Sequence, residues 1–398
     1  MRLSLRVQAL ATSPIRKLTP YADAAKAAGK KVYHLNIGQP DILTPPQYME
    51  AIRKYDAPVI EYGNSKGDPV LIKAIQKYYA EKGMNYDLED IYITNGGSEA
   101  LIMAATALCD DTDEILVFEP FYANYMTFAK TYGAKVVGVP TSVDNGYHLP
   151  SEEMIEKFIN GRTKAILVTN PGNPTGAVYT EEEMKILSRL ALKYDLALIA
   201  DEVYREFVYD GPYKSFGTMP ELDQNLIMVD SVSKRYSACG VRIGCLICKN
   251  KAFNAQIMKV AQGRLCSPAV EMVGAAALYE TPSSYFEEVN REYKHRRDTI
   301  KACLDKLPGV KSSEPQGAFY VMVKLPVDDA EKFAIWVLEN FDIDGETVMF
   351  APGNGFYGDS TCGVDEARLA YVLSSEKIEK AIYILGEALK AYPGYTLK

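Results

Sequence analysis

The stretch Leu196-Ala197-Leu198-Ile199-Ala200-Asp201-Glu202-Val203-Tyr204 is apolar for its first five residues and then turns acidic. An apolar run without alternation is how a strand reads when both of its faces are covered. A carboxylate at the end of such a strand needs a partner, because an unpaired buried charge is costly. A neighbouring Lys or Arg is one such partner; a protonated ring nitrogen of a bound molecule is another. Outward from this point, similar short runs rich in Val, Ile and Leu occur at 91–94, 114–118, 135–139, 164–169, 225–229 and 242–248. Helix patterns lie between several of them. One opens at Thr180, with Glu183 three residues on, a capping box. The alternation predicts an α/β fold whose mainly parallel seven-stranded sheet is flanked by helices.

The pattern changes near residue 250. Helical stretches run to about residue 306, followed by strand-like segments at 318–323, 348–351 and 368–373 and helices at 330–340 and 376–391. These predict a second, smaller α+β domain. Pro45-Pro46 marks a break before the next helix. The expected division is therefore a large domain over 46–290 and a small one made of 1–45 plus 291–398.

Composition excludes several classes. With 398 residues, 47% of them hydrophobic, the chain can bury a large core. No apolar run is long enough to span a membrane, and the charged N-terminus lacks the apolar core of a secretory signal. A net charge of −8 opposes nucleic-acid binding. The basic cluster Lys294-His295-Arg296-Arg297 reads as a solvated helix face. Seven scattered cysteines fit reduced thiols in the cytoplasm. Cys245 and Cys248 form a CxxC on an apolar strand with no second ligand pair, which reads as core. The three histidines, His34, His148 and His295, stand apart, so no metal site is expected.

The polar anomalies fall at strand ends, where open α/β sheets place their sites. Asn95-Gly96-Gly97-Ser98 leads from a strand into a helix start, whose free N–H groups suit a phosphate. Asn170-Pro171-Gly172-Asn173-Pro174-Thr175-Gly176 is a rigid turn able to hold Asn173 over a ligand. In Asp230-Ser231-Val232-Ser233-Lys234 a lysine flanked by hydroxyls can be desolvated into a nucleophile. Arg242, eight residues on, can join Ser231 and Ser233 on one phosphate. Arg368 lies on a later strand, and a bidentate Arg suits an α-carboxylate.

Asn173-Pro174-Thr175-Gly176, Asp201-Glu202-Val203-Tyr204 and Ser231-Val232-Ser233-Lys234 with Arg242 form a specific ordered set. By it the chain resembles the fold type I aminotransferases, the aspartate aminotransferase family, from about residue 13 to its end. The resemblance implies pyridoxal phosphate carried on Lys234, which would also move the substrate's Cα proton. It implies Asp201 on the pyridine nitrogen, Tyr204 and Asn173 on the phenolic oxygen, and Tyr122 against the ring face. Gly97, Ser98, Ser231, Ser233 and Arg242 would hold the phosphate, joined by Tyr62 of a neighbouring subunit in a homodimer. Arg368 and Asn173 would clamp the substrate carboxylate, with Gly38 lining its pocket. Some relatives carry Lys where this chain has Ser98, to meet the second carboxylate of aspartate, and others use an Arg near Gln262. Arg264 is the expected substitute here, which favours aspartate as donor and a 2-oxo acid such as 2-oxoglutarate as acceptor.

Two other readings share these residues. Fold type I C–S lyases, decarboxylases and cyclopropane-forming synthases use the same cofactor, as do aromatic or broad-range aminotransferases. A non-enzymatic sensor in a transcription regulator needs a DNA-binding domain ahead of the likeness, and the acidic charge opposes DNA.

Overall fold

Alternate residues of the central strands face opposite helical layers, which is why these strands read as apolar throughout. Leu116, Phe118, Ile166, Val168, Leu198 and Ala200 pack into one core. Ile115, Val117, Ala165, Leu167 and Ile199 pack into another on the far side. Burial of each such Leu, Ile or Val side chain contributes about 1.5–3 kcal/mol. The computed structural model describes residues 1–10 and 12–397.

The strands in chain order are β1 (Lys31–His34), β2 (Ile91–Thr94), β3 (Glu114–Glu119), β4 (Lys135–Pro140), β5 (Thr163–Thr169), β6 (Ala197–Asp201) and β7 (Leu226–Ser231). They continue with β8 (Gly244–Ile247), β9 (Lys311–Ser312), β10 (Tyr320–Lys324), β11 (Glu346–Met349), β12 (Ala351–Pro352) and β13 (Glu366–Ala370). The seven-stranded sheet has the order β2-β8-β7-β6-β5-β3-β4. β8 runs antiparallel to both neighbours and every other pair is parallel. The predicted mainly parallel sheet flanked by helices is therefore present.

A second set of strands lies apart from it. β12, β13, β10 and β9 form an antiparallel sheet, and β1 pairs in parallel with β11. The N-terminal segment thus joins the C-terminal third of the chain, and Ala370 N–H donates to Leu35 O at 2.7 Å. The helices Ala330–Asn340 and Ser375–Ala391 cover this set and share its core with Phe319, Val321, Phe350 and Leu369.

Thr180 caps the helix Glu181–Lys193 as expected, with the reciprocal Glu183 bond in place. Cys245 and Cys248 are buried in the two cores, also as expected. Two expectations are corrected. Arg242 does not begin a strand: its φ is 56°, left-handed, and β8 starts two residues later, at Gly244. The basic cluster is not a solvated face either, since Arg296 and Arg297 are buried. Arg296 pairs with Asp41 and Glu292, and Arg297 with Asp210 and Asp298. Each also donates to a main-chain carbonyl, of Val372 and Pro315 respectively. Asp41, Asp210, Val372 and Pro315 come from distant segments, so the two arginines tie the long helix Ser283–Leu304 to the rest of the protein. No helix among the described residues is long and apolar enough to cross a membrane.

Candidate active site

The C-terminal ends of β2, β5, β6 and β7 meet the start of antiparallel β8 at one edge of the large sheet. There they enclose a cavity of about 120 Å3. Its floor at one end is the turn from β2 into the helix Gly96–Leu108. Gly96 has φ 75°, and a Cβ there would collide with Arg242 Nη2. A Cβ on Gly244 would lie 2.6 Å from the Gly96 carbonyl carbon, so two backbones approach here as only glycines allow.

The hydroxyl oxygens of Ser231 and Ser233 are 2.7 Å apart. Ser231 ends β7 and caps the one-turn helix Val232–Arg235, accepting from Ser233 N–H. Arg242 reaches in beside them: Nη1 donates to Ser233 Oγ at 3.4 Å and to Cys239 O at 3.1 Å. Two hydroxyls, a guanidinium and the helix start at Gly97 and Ser98 thus converge on one spot, a donor set for an anion with several oxygens.

Asp201, which lines the same cavity, closes β6 and is almost fully buried. Tyr125 OH donates to its Oδ2 at 2.8 Å and lies 2.5 Å from Thr169 Oγ1. The other oxygen, Oδ1, is buried with no partner. Burial pushes this carboxyl up to about 7, against the pull of the Tyr125 bond. A buried acceptor left open in this way calls for a donor from a ligand.

Lys234 lines this cavity too. Its Nζ donates to Gly38 O at 2.9 Å and sits 3.7 Å from Cys239 Sγ. Tyr204 OH is 3.0 Å from Tyr320 OH and accepts from Asn173 Nδ2 at 3.3 Å. Burial raises the Tyr204 phenol well above its ordinary range, so it stays a proton donor. Tyr122 lines the wall edge-on to Tyr125, ring centres 5.4 Å apart, and burial pushes its phenol up to about 12.

Arg368 comes from β13. Nη1 donates to Asn173 Oδ1 at 3.0 Å and Nη2 to Asn36 O at 2.6 Å, while Nε is buried without a partner. The guanidinium lies over the rings of Tyr320 at 4.4 Å and Phe356 at 5.0 Å. Burial lowers its pKa, and the groups that favour its charge are tyrosines, not a carboxylate. Such a cation is a seat for a ligand carboxylate.

Gly97, Ser98, Tyr122, Asn173, Asp201, Tyr204, Ser231, Ser233, Lys234 and Arg242 line the one cavity. Gly38 and Arg368 adjoin it through Lys234 and Asn173. Tyr62 is not brought to it: the residue is 83% exposed on the surface of the chain. Arg264 is not among the residues that line the cavity: its guanidinium pairs with Glu99 at 2.8 Å and bonds Ser267 and two main-chain carbonyls, with the buried Nε left unpartnered. Tyr125 and Tyr320 were missed. Tyr125 falls three residues after Tyr122, in the first turn of the helix Asn124–Thr131 that follows it, which could have marked it. Tyr320 carries no local signal. The strand register places it diagonal to Arg368 on one face, opposite Ala370.

Comparison with known proteins gives the family. The family model "Aminotransferase class I and II" matches residues 30–383. The aspartate aminotransferase of Bacillus subtilis (strain 168) is 30% identical over 96% of this chain and 97% of its own length. The aspartate/prephenate aminotransferase of Thermus thermophilus is 32% identical over 96% and 97%. Among solved structures, an alanine aminotransferase from Pyrococcus furiosus superposes with TM-score 0.91 at 32% identity, covering 98% of this chain and all of the other. The chain belongs to the class I and II aminotransferases. It is an enzyme, a transaminase.

Proposed function

We propose that this transaminase holds pyridoxal phosphate on Lys234 and moves the amino group of an amino acid, aspartate favoured, to a 2-oxo acid such as 2-oxoglutarate. The observation that carries the reading is the open Oδ1 of buried Asp201, with the anion cradle lining the same cavity. A group with a protonated ring nitrogen at one end and a phosphate at the other fits both. When bound, pyridoxal phosphate supplies an electron sink for the negative charge left when a Cα–H bond breaks. Lys234 is the amine that anchors it and then carries the Cα proton. Asp201 keeps the ring nitrogen protonated, and Tyr125 fixes that carboxylate in place. Tyr204 and Asn173 bond the phenolic oxygen, and Tyr122 covers one ring face. Gly97, Ser98, Ser231, Ser233 and Arg242 take the phosphate. Arg368 and Asn173 take the donor's α-carboxylate, and Gly38 borders that subsite.

The working form is a homodimer on this reading, with Tyr62 reaching the phosphate of the second subunit. Val59 and Ile60, 65% and 63% exposed beside Tyr62, support a covered face there. The domain division at 46–290 against 1–45 plus 291–398 is supported by the pairing of β1 with β11. A cytoplasmic setting is supported by the free state of all seven cysteines.

Aspartate rests on the names of the relatives. A neutral donor such as alanine is the second reading, favoured by the engagement of Arg264 with Glu99 and by the likeness to the alanine aminotransferase from Pyrococcus furiosus. A screen of amino donors against 2-oxoglutarate decides. Aspartate should be among the better donors. Activity with alanine but none with aspartate would turn the assignment to the second reading, and no exchange with any donor would defeat transamination as described.

A further inference from the structure

We propose that Arg264 is a positioning residue for the phosphate turn, and that it takes no part in recognising the amino donor. The proposal rests on the cofactor reading of the cradle given above. Arg264 ends the helix Lys251–Arg264, and its side chain is 13% exposed. Nη1 donates to Glu99 Oε2 and to Ser267 Oγ, both at 2.8 Å. Nη2 donates to Ser65 O at 2.9 Å and to Ile93 O at 3.3 Å. The two Nη nitrogens carry four hydrogens between them, and each has a protein acceptor; only the buried Nε–H is left without one. A donor's distal carboxylate would have to displace Glu99 to be held by the two-pronged face of the guanidinium.

Glu99 passes the constraint on. Its carboxylate accepts Asn95 N–H at 2.7 Å and Asn95 Nδ2 at 3.4 Å. Asn95 is the residue before the helix Gly96–Leu108, and its carbonyl accepts from Arg242 Nη2 at 3.4 Å. Arg264 therefore fixes Glu99, Glu99 fixes Asn95, and Asn95 sets where Gly97 and Ser98 present their donors. The same guanidinium holds Ser65, three residues after Tyr62, and the end of β2 at Ile93. A lysine can keep the charge opposite Glu99 but cannot bridge four acceptors.

The test is titration of cofactor-stripped wild type, Arg264→Gln, Arg264→Lys, Glu99→Gln and the Arg264→Gln/Glu99→Gln double variant with pyridoxal phosphate, read by absorbance. Thermal shift with inorganic phosphate alone is a second readout. Arg264→Gln should weaken cofactor binding roughly 10- to 100-fold, the range for losing a charged hydrogen bond. Arg264→Lys should fall between it and wild type, and the double variant should be no worse than the poorer single. At saturating cofactor, the ratio of kcat/KM for aspartate over alanine should stay at the wild-type value. If Arg264→Gln does not fold, Arg264→Lys and Glu99→Gln decide by the same measures. Unchanged cofactor and phosphate affinity would overturn the proposal, as would a loss confined to dicarboxylic donors. A wild type that takes up no cofactor would overturn the reading beneath it, and the proposal with it.

Discussion

Replacing Asp201 by Asn should stabilise the cofactor-free protein at alkaline pH while removing transamination. The carboxyl is buried, and burial raises its pKa from 3.8 to about 7. At 1.36 kcal/mol per pH unit, a displacement of about three units corresponds to roughly 4 kcal/mol. The folded state binds this proton more tightly than the unfolded chain does. The stability it gives is fully present below the unfolded value, near 4, and is lost as pH rises through about 7. Above that, each cofactor-free molecule carries a buried charge with one oxygen unpartnered. Asn matches the shape of Asp and does not ionise. The stability difference, Asp201→Asn minus wild type, should therefore climb between about pH 5 and pH 8 by roughly 2–4 kcal/mol, the lower figure allowing for water in the open cavity. Urea unfolding of both cofactor-stripped proteins across that range measures it. With the cofactor bound, the order should reverse, because wild-type Asp201 then has its donor. A difference that stays flat from about pH 5 to pH 8 would refute the reasoning.

Arg368→Lys should lower kcat/KM for every donor alike, by about 10- to 100-fold, because it removes a bidentate clamp on the shared α-carboxylate; steady-state kinetics with several donors checks this. Gly38→Ala would drive a Cβ into the Tyr320 hydroxyl, so Tyr320 must leave both Tyr204 and Arg368. A raised KM for the donor with an unchanged far-ultraviolet spectrum is the expected result. Thr180→Ala removes the cap of the helix Glu181–Lys193 and should cost about 1 kcal/mol in urea unfolding, with activity intact.

The sheet was legible because its signal is local. The run at 91–94 matches β2, and the helix at 330–340 matches Ala330–Asn340, since apolar period and caps lie within a few residues of one another. The cavity was legible for a related reason: its groups sit at strand ends, where a polar residue interrupts an apolar run. The misses are tertiary. Arg296 and Arg297 find Asp41 and Asp210 across long stretches of chain, and no pattern around residue 295 announces those partners. Arg264 meets Glu99 in the same way, 165 residues distant, a pairing that no local pattern announces. Arg242 is followed by apolar residues and so carries a strand pattern, but its backbone is left-handed and the strand starts only at Gly244.

The most direct measurement is on Lys234 itself. Borohydride reduction of the purified protein, followed by digestion and mass spectrometry, should find the mass of reduced pyridoxal phosphate on the peptide that contains Lys234. Lys234→Ala should bind the cofactor reversibly, show no such mass and carry no transaminase activity. A label on another lysine, or a wild-type protein that remains colourless and unlabelled after incubation with pyridoxal phosphate, would contradict it.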